Sequence, residues 1–160
     1  VTAMPFEHDV DLRRTLPELD PACFDGADAS DDVAAVARRV GRKPLRKYSP
    51  ADLLAVVRLG VAPAHTVPPA VALLDADPLL EAAEHPGDLL TAVLELDSRF
   101  WLERHELWAA MAGVLERALG EITARAERMQ EEDAGECWLP ALLGDDFMGA
   151  VLHFRGMFRE

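Results

Sequence analysis

The sequence predicts an all-α fold, an irregular bundle of short helices packed around one long helix. Three observations lead there. Apolar residues recur at three- and four-residue steps over most of the chain. No stretch alternates apolar and polar residues as a half-buried strand does. Prolines and glycines divide the middle of the chain into short pieces, and the longest unbroken helical pattern follows them, from about residue 98 to 132. At 160 residues, half of them apolar, the chain suits one domain with one sizeable core.

Residues 1–29 are rich in Asp and Pro and lack a sustained period, so an acidic, loosely ordered arm is expected, with a short turn near Asp11–Leu16. Ser30 suits an N-cap for a helix carrying Val33, Val36, Ala37 and Val40 on one side and ending at Arg38, Arg39 and Gly41. Ser49-Pro50-Ala51-Asp52 opens the next helix with a cap, a proline at N1 and an acid at N3. Its buried stripe is Leu53, Leu54, Val56 and Val57, and Gly60 ends it. Thr66 is expected to cap a further helix, because a first turn tolerates Pro68 and Pro69. Asp77-Pro78 begins a turn. Pro86-Gly87-Asp88 begins a helix bearing Leu89, Leu90, Val93, Leu94 and Leu96, with Glu81, Glu84, Asp88 and Glu95 pointing outward.

Asp97 or Ser98 is expected to cap the long helix, on which Trp101, Trp108, Met111, Leu115, Ala118, Ile122 and Met129 recur at helical steps. Asp133-Ala134-Gly135 breaks it. A last helix after Gly144-Asp145 carries Phe147, Val151, Phe154 and Phe158 on one face. The expected organisation is therefore an arm (1–29), a helical domain (30–132) and a C-terminal helical extension (133–160) packed on that domain.

The net charge of −13 is unevenly spread. Residues 1–32 carry −7, residues 33–59 carry +6, and residues 75–97 carry −7 with no base at all. This balance disfavours bulk nucleic-acid binding. It favours a cationic partner, because a field of one sign speeds the approach of the opposite one. The basic cluster Arg38, Arg39, Arg42, Lys43, Arg46, Lys47 leaves a second reading open, a nucleic-acid or regulatory module using residues 38–48. No apolar run is long enough to span a membrane, and the start of the chain has no basic-then-apolar leader pattern. With only Cys23 and Cys137, reduced thiols and a cytoplasmic location are expected.

Motifs for chemistry fail one by one. His105-Glu106-Leu107-Trp108 begins like a zinc-protease helix, but Ala109 stands where the second ligand belongs. Asp75-Ala76-Asp77 begins like a calcium loop, but Leu80 and Pro86 occupy the places that require Gly and Glu. There is no nucleophile elbow and no glycine-rich phosphate loop. No catalytic residue, metal, cofactor or small-molecule ligand is expected. A small helical enzyme built on Asp77, His85, Asp88 and His105 is a third reading, requiring a pocket of buried carboxylates. Trp101, Trp108 and Trp138 read as core anchors.

An ordered set of phrases carries a resemblance. It comprises Arg42-Lys43-Pro44-Leu45, Tyr48-Ser49-Pro50-Ala51-Asp52-Leu53, Leu59-Gly60-Val61, Val67-Pro68 with Ala70, Asp77-Pro78-Leu79, Pro86-Gly87-Asp88-Leu89-Leu90 with Val93-Leu94, and Phe100-Trp101. Together, over about residues 38–118, they resemble the immunity proteins of bacterial contact-dependent growth inhibition systems, the CdiI type. The resemblance implies a small cytoplasmic helical protein, without catalysis or cofactor, that binds and blocks the C-terminal toxin domain of a cognate secreted toxin. Such toxin domains are commonly cationic when they are nucleases. The acids Asp75, Asp77, Glu81, Glu84, Asp88 and Glu95 are therefore the expected contact surface.

Overall fold

The computed structural model of the protein describes residues 10–24, 31–132 and 145–157. They form α1 (Leu16–Leu19), α2 (Asp31–Val40), a 3-10 turn (Leu45–Lys47), α3 (Pro50–Arg58), α4 (Pro63–Ala76), α5 (Asp88–Leu94), α6 (Ser98–Leu102), α7 (His105–Glu132) and α8 (Asp145–Gly156). The fold is all-α. Among the described residues there is no strand, only isolated bridges between Thr15 and Pro44 and between Glu81 and Pro86.

Helix α3 shows how the sequence divides the interior. Leu54 and Val57 enter a large cluster built from α4 to α8, whereas Leu53 and Val56 enter a smaller one with Leu16, Val40, Leu45, Tyr48 and Val61. One short helix thus wedges two apolar layers apart, each full burial stabilising by about 1.5–3 kcal/mol. Ser49 and Asp52 close its N-terminus as a reciprocal capping box: Asp52 N–H donates to the Ser49 hydroxyl, and Ser49 N–H to the Asp52 carboxylate.

Helix α5 is buried on nearly every side. Leu89, Leu90, Ala92, Val93 and Leu94 all belong to the large cluster, and the helix packs on α3, α4 and α8. The long helix α7 lies on α4 and contributes Leu107, Met111, Val114, Leu115, Ala118 and Ile122. From α8 come Phe147, Ala150, Val151 and Phe154. The Phe154 ring meets Trp101 edge-on at 5.3 Å and stacks on Trp108 at 5.4 Å. Trp138, Met129, Phe158 and the Ser30 cap lie outside the residues whose side chains are described.

Several expectations are corrected. Over residues 10–24 the N-terminal segment is packed, not a loose arm. Thr15 caps α1 in a capping box with Glu18, and Leu16 is completely buried. Leu45 N–H and Arg46 N–H donate to the carbonyls of Arg14 and Leu12, tying the segment to the 3-10 turn. Helix α4 starts one turn earlier than Thr66 suggests: Ala62, at φ 41°, is the cap residue and Pro63 takes N1. Thr66 is instead buried inside the helix, its hydroxyl donating to the carbonyls of Val61 and Ala62. Pro68 and Pro69 then lie in the helix interior. The expected long helix is broken after Leu102, and α7 starts only at His105. Arg and Glu at the break are both good helix formers, so packing overrides propensity here. The break lets Trp101 and Trp108 reach the same phenylalanine from two helices.

Candidate partner-binding surface

The acids expected to form one contact face are built by three neighbouring elements, which give them different roles. Asp75 lies in the last turn of α4 and is engaged by α7: the Arg117 guanidinium donates to its carboxylate and, at 2.7 Å, to its carbonyl. Asp77 is the extended C-cap residue of α4 and is exposed. A turn through the buried Pro78 and Leu79 carries the chain to Glu81, which is also exposed. Glu84 is exposed and pairs with Arg58 at the end of α3, its two oxygens 3.2 and 3.4 Å from the guanidinium nitrogens. Both partners face water, so this pair is worth under about 1 kcal/mol.

Asp88 does not point outward. It is 1 % exposed, and its carboxylate accepts four backbone N–H groups: Ala82 at 2.9 Å, Ala83 at 3.0 Å, Glu84 at 2.9 Å and Leu89 at 2.7 Å. Burial pushes its carboxyl pKa up, and the amide donors more than offset this, holding it below the usual carboxylate range. The residue before it, Gly87, sits at φ 83°, a conformation that only glycine adopts without strain, and this turns the loop into α5. Asp88 therefore cannot touch a partner, and it is removed from the small-enzyme constellation as well. His85 in that constellation has its Nδ1 3.0 Å from the Pro86 carbonyl. Glu95 is exposed at the far end of α5, and seven residues of helix separate it from the loop by about 10 Å. Asp77, Glu81 and Glu84 thus stay exposed between α4 and α5, whereas Glu95 lies at the far end of α5, Asp75 is tied to α7 and Asp88 is buried.

The basic segment is similarly divided. Arg39 and Lys43 are taken up by the buried carboxylate of Asp52, at 2.9 and 2.7 Å. The lysine is hydrogen-bonded, while the Arg39 contact lacks hydrogen-bond alignment. Burial raises the Asp52 pKa, and the bonds from Lys43 and Ser49 N–H with the two positive charges outweigh it, so the group is held low. Arg38, Arg42, Arg46 and Lys47 remain exposed. Arg46 and Lys47 directly precede α3, whose nine residues put about 13 Å between its N-terminal end and its C-terminal end, where Arg58 meets the acidic loop. Sequence reasoning found Asp52 as a cap but missed it as an ionic hub, and it missed the links Arg58–Glu84, Arg117–Asp75 and Arg155–Glu116. These join residues 26 to 42 apart, for which a helical period gives no signal.

Among the described residues, no group of three His, Cys, Asp or Glu side chains could hold a metal ion. No helix there is long and apolar enough to cross a membrane. The family model for CDI immunity proteins matches residues 18–111, more than half of the chain, from α1 into α7. The chain belongs to this family of contact-dependent growth inhibition immunity proteins. No curated protein and no solved structure matches it.

Proposed function

We propose that the protein protects its cell by binding the C-terminal toxin domain of one cognate contact-dependent growth inhibition toxin, acting in the cytoplasm and without catalysis or a cofactor. Membership of the CDI immunity family is the observation that carries this reading. The contact surface proposed is the acidic end of α4 and the following loop, Asp77, Glu81 and Glu84, with Glu95 on its margin. Asp75 lies behind this surface, and Asp88 beneath it. A cationic toxin domain is the partner that such a surface suits, because exposed charge mainly raises the association rate and selects the partner. The organisation proposed keeps one domain, with residues 133–160 as an extension of it.

The test uses the C-terminal domain of the toxin encoded next to this gene. Reversing Asp77 and Glu81 to Lys should slow association about tenfold at low salt and flatten its salt dependence. Unchanged rate and salt slope would place the contact elsewhere on the protein.

A further inference from the structure

We infer that Asp88 is a positioning residue for the partner-binding surface: from beneath, its carboxylate fixes loop 81–87 in the conformation that presents Glu81 and Glu84. The inference rests on the reading above, and it follows from where the four donors lie. A residue that merely caps α5 needs donors from the first turn of that helix. Here only Leu89 N–H comes from α5. The other three are the consecutive amides of Ala82, Ala83 and Glu84, upstream of the helix, all turned inward onto one buried group. Three adjacent N–H groups aimed at one anion leave the backbone between Glu81 and His85 little freedom.

The remainder of the loop is held more lightly. Gly87 N–H reaches the carbonyls of Leu79 and Leu80 at 3.2 and 3.3 Å, and Asp88 N–H reaches that of His85. Ala82 and Ala83 offer no polar side chain that could replace the carboxylate. On the outer side, the exposed Arg58 holds Glu84, a contact that water screens. Asp88 is therefore the principal fastening of the loop. A loop ordered before the encounter gives up less conformational freedom on binding, which tightens the complex without any contact from Asp88 itself.

The experiment compares Asp88→Asn with the wild-type protein, at a temperature where both retain the near-ultraviolet circular dichroism of the folded state. Asparagine keeps the size but presents an NH2 group to amides that need an acceptor. Amide exchange at Ala82, Ala83 and Glu84 should speed up by more than about tenfold beyond any acceleration at Met111 and Leu115, whose exchange reports the loss of global stability. Affinity for the toxin domain should fall about tenfold while the salt slope stays that of wild type, because the exposed acids remain. A purely structural cap would lower stability and leave the affinity of the folded variant intact, and that result overturns the inference. Should the variant not fold, the wild-type protein decides: the three amides must be protected from exchange, and exchange at unstructured rates refutes the fastening. The reversal of Asp77 and Glu81 separates the two claims. Weakening there with no effect from Asp88→Asn rejects the positioning role alone, whereas no effect from the reversal rejects the surface, and the positioning role with it.

Discussion

Replacing Asp52 with Asn should destabilise the protein by about 2–3 kcal/mol, far more than removing either of its cationic partners. The side chain is 1 % exposed, whereas those of Arg39 and Lys43 are 55 % and 38 % exposed. Asparagine can still accept from Ser49 N–H and keep part of the cap, which is worth about 1 kcal/mol. It loses the charge that Lys43 Nζ approaches at 2.7 Å, and a hydrogen bond between charged groups contributes about 1.5–3 kcal/mol. Lys43→Ala leaves Arg39 and Ser49 in place and should cost about 1 kcal/mol, solvent having already screened the pair. Removing Arg39 and Lys43 together should approach the Asp52→Asn value, since the carboxylate is then buried without a counter-charge. Urea unfolding with an unchanged denaturant slope measures all three. Affinity for the toxin domain should not change, because Asp52 and the acidic loop sit at opposite ends of α3. An Asp52→Asn cost under about 0.5 kcal/mol, or a Lys43→Ala cost equal to it, would refute the ionic hub.

Two further perturbations test other parts of the structure. Leu16→Ala should cost about 2–4 kcal/mol in the same urea experiment, because Leu16 is wholly buried in the smaller cluster; a neutral result would return residues 10–24 to the status of a loose arm. Acid should unfold the protein through Asp52 and Asp88, whose folded pKa values are both depressed. Their stabilisation is complete above the unfolded carboxylate value of about 4 and is lost as pH falls through the folded values. Circular dichroism between pH 6 and 2 should therefore show a transition that is shallower in Asp52→Asn and in Asp88→Asn; an identical pH profile in both variants contradicts the depressed values.

The helical class and most of the core were legible because burial writes a period into the sequence. Leu53, Leu54, Val56 and Val57 identify α3 as buried on two sides, and Phe147, Val151 and Phe154 give the inner face of α8. Helix starts were legible where cap chemistry is explicit, as at Ser49 and Asp52. They were misplaced where it is not: Ala62 caps α4 through a left-handed backbone, while the better-looking Thr66 turns its hydroxyl back inside the helix. The split before α7 had no local signal at all. Among the acids, composition reveals charge but not direction. Glu81 and Asp88 look alike in sequence, and only the convergence of the Ala82, Ala83 and Glu84 amides separates a surface charge from a buried fastening.

The central claim, protection by occupying the toxin, is tested most directly by survival. Cells producing the C-terminal domain of the neighbouring toxin, together with this protein, should grow normally, and the two chains should purify as one complex. Death of those cells despite abundant folded protein would contradict the account.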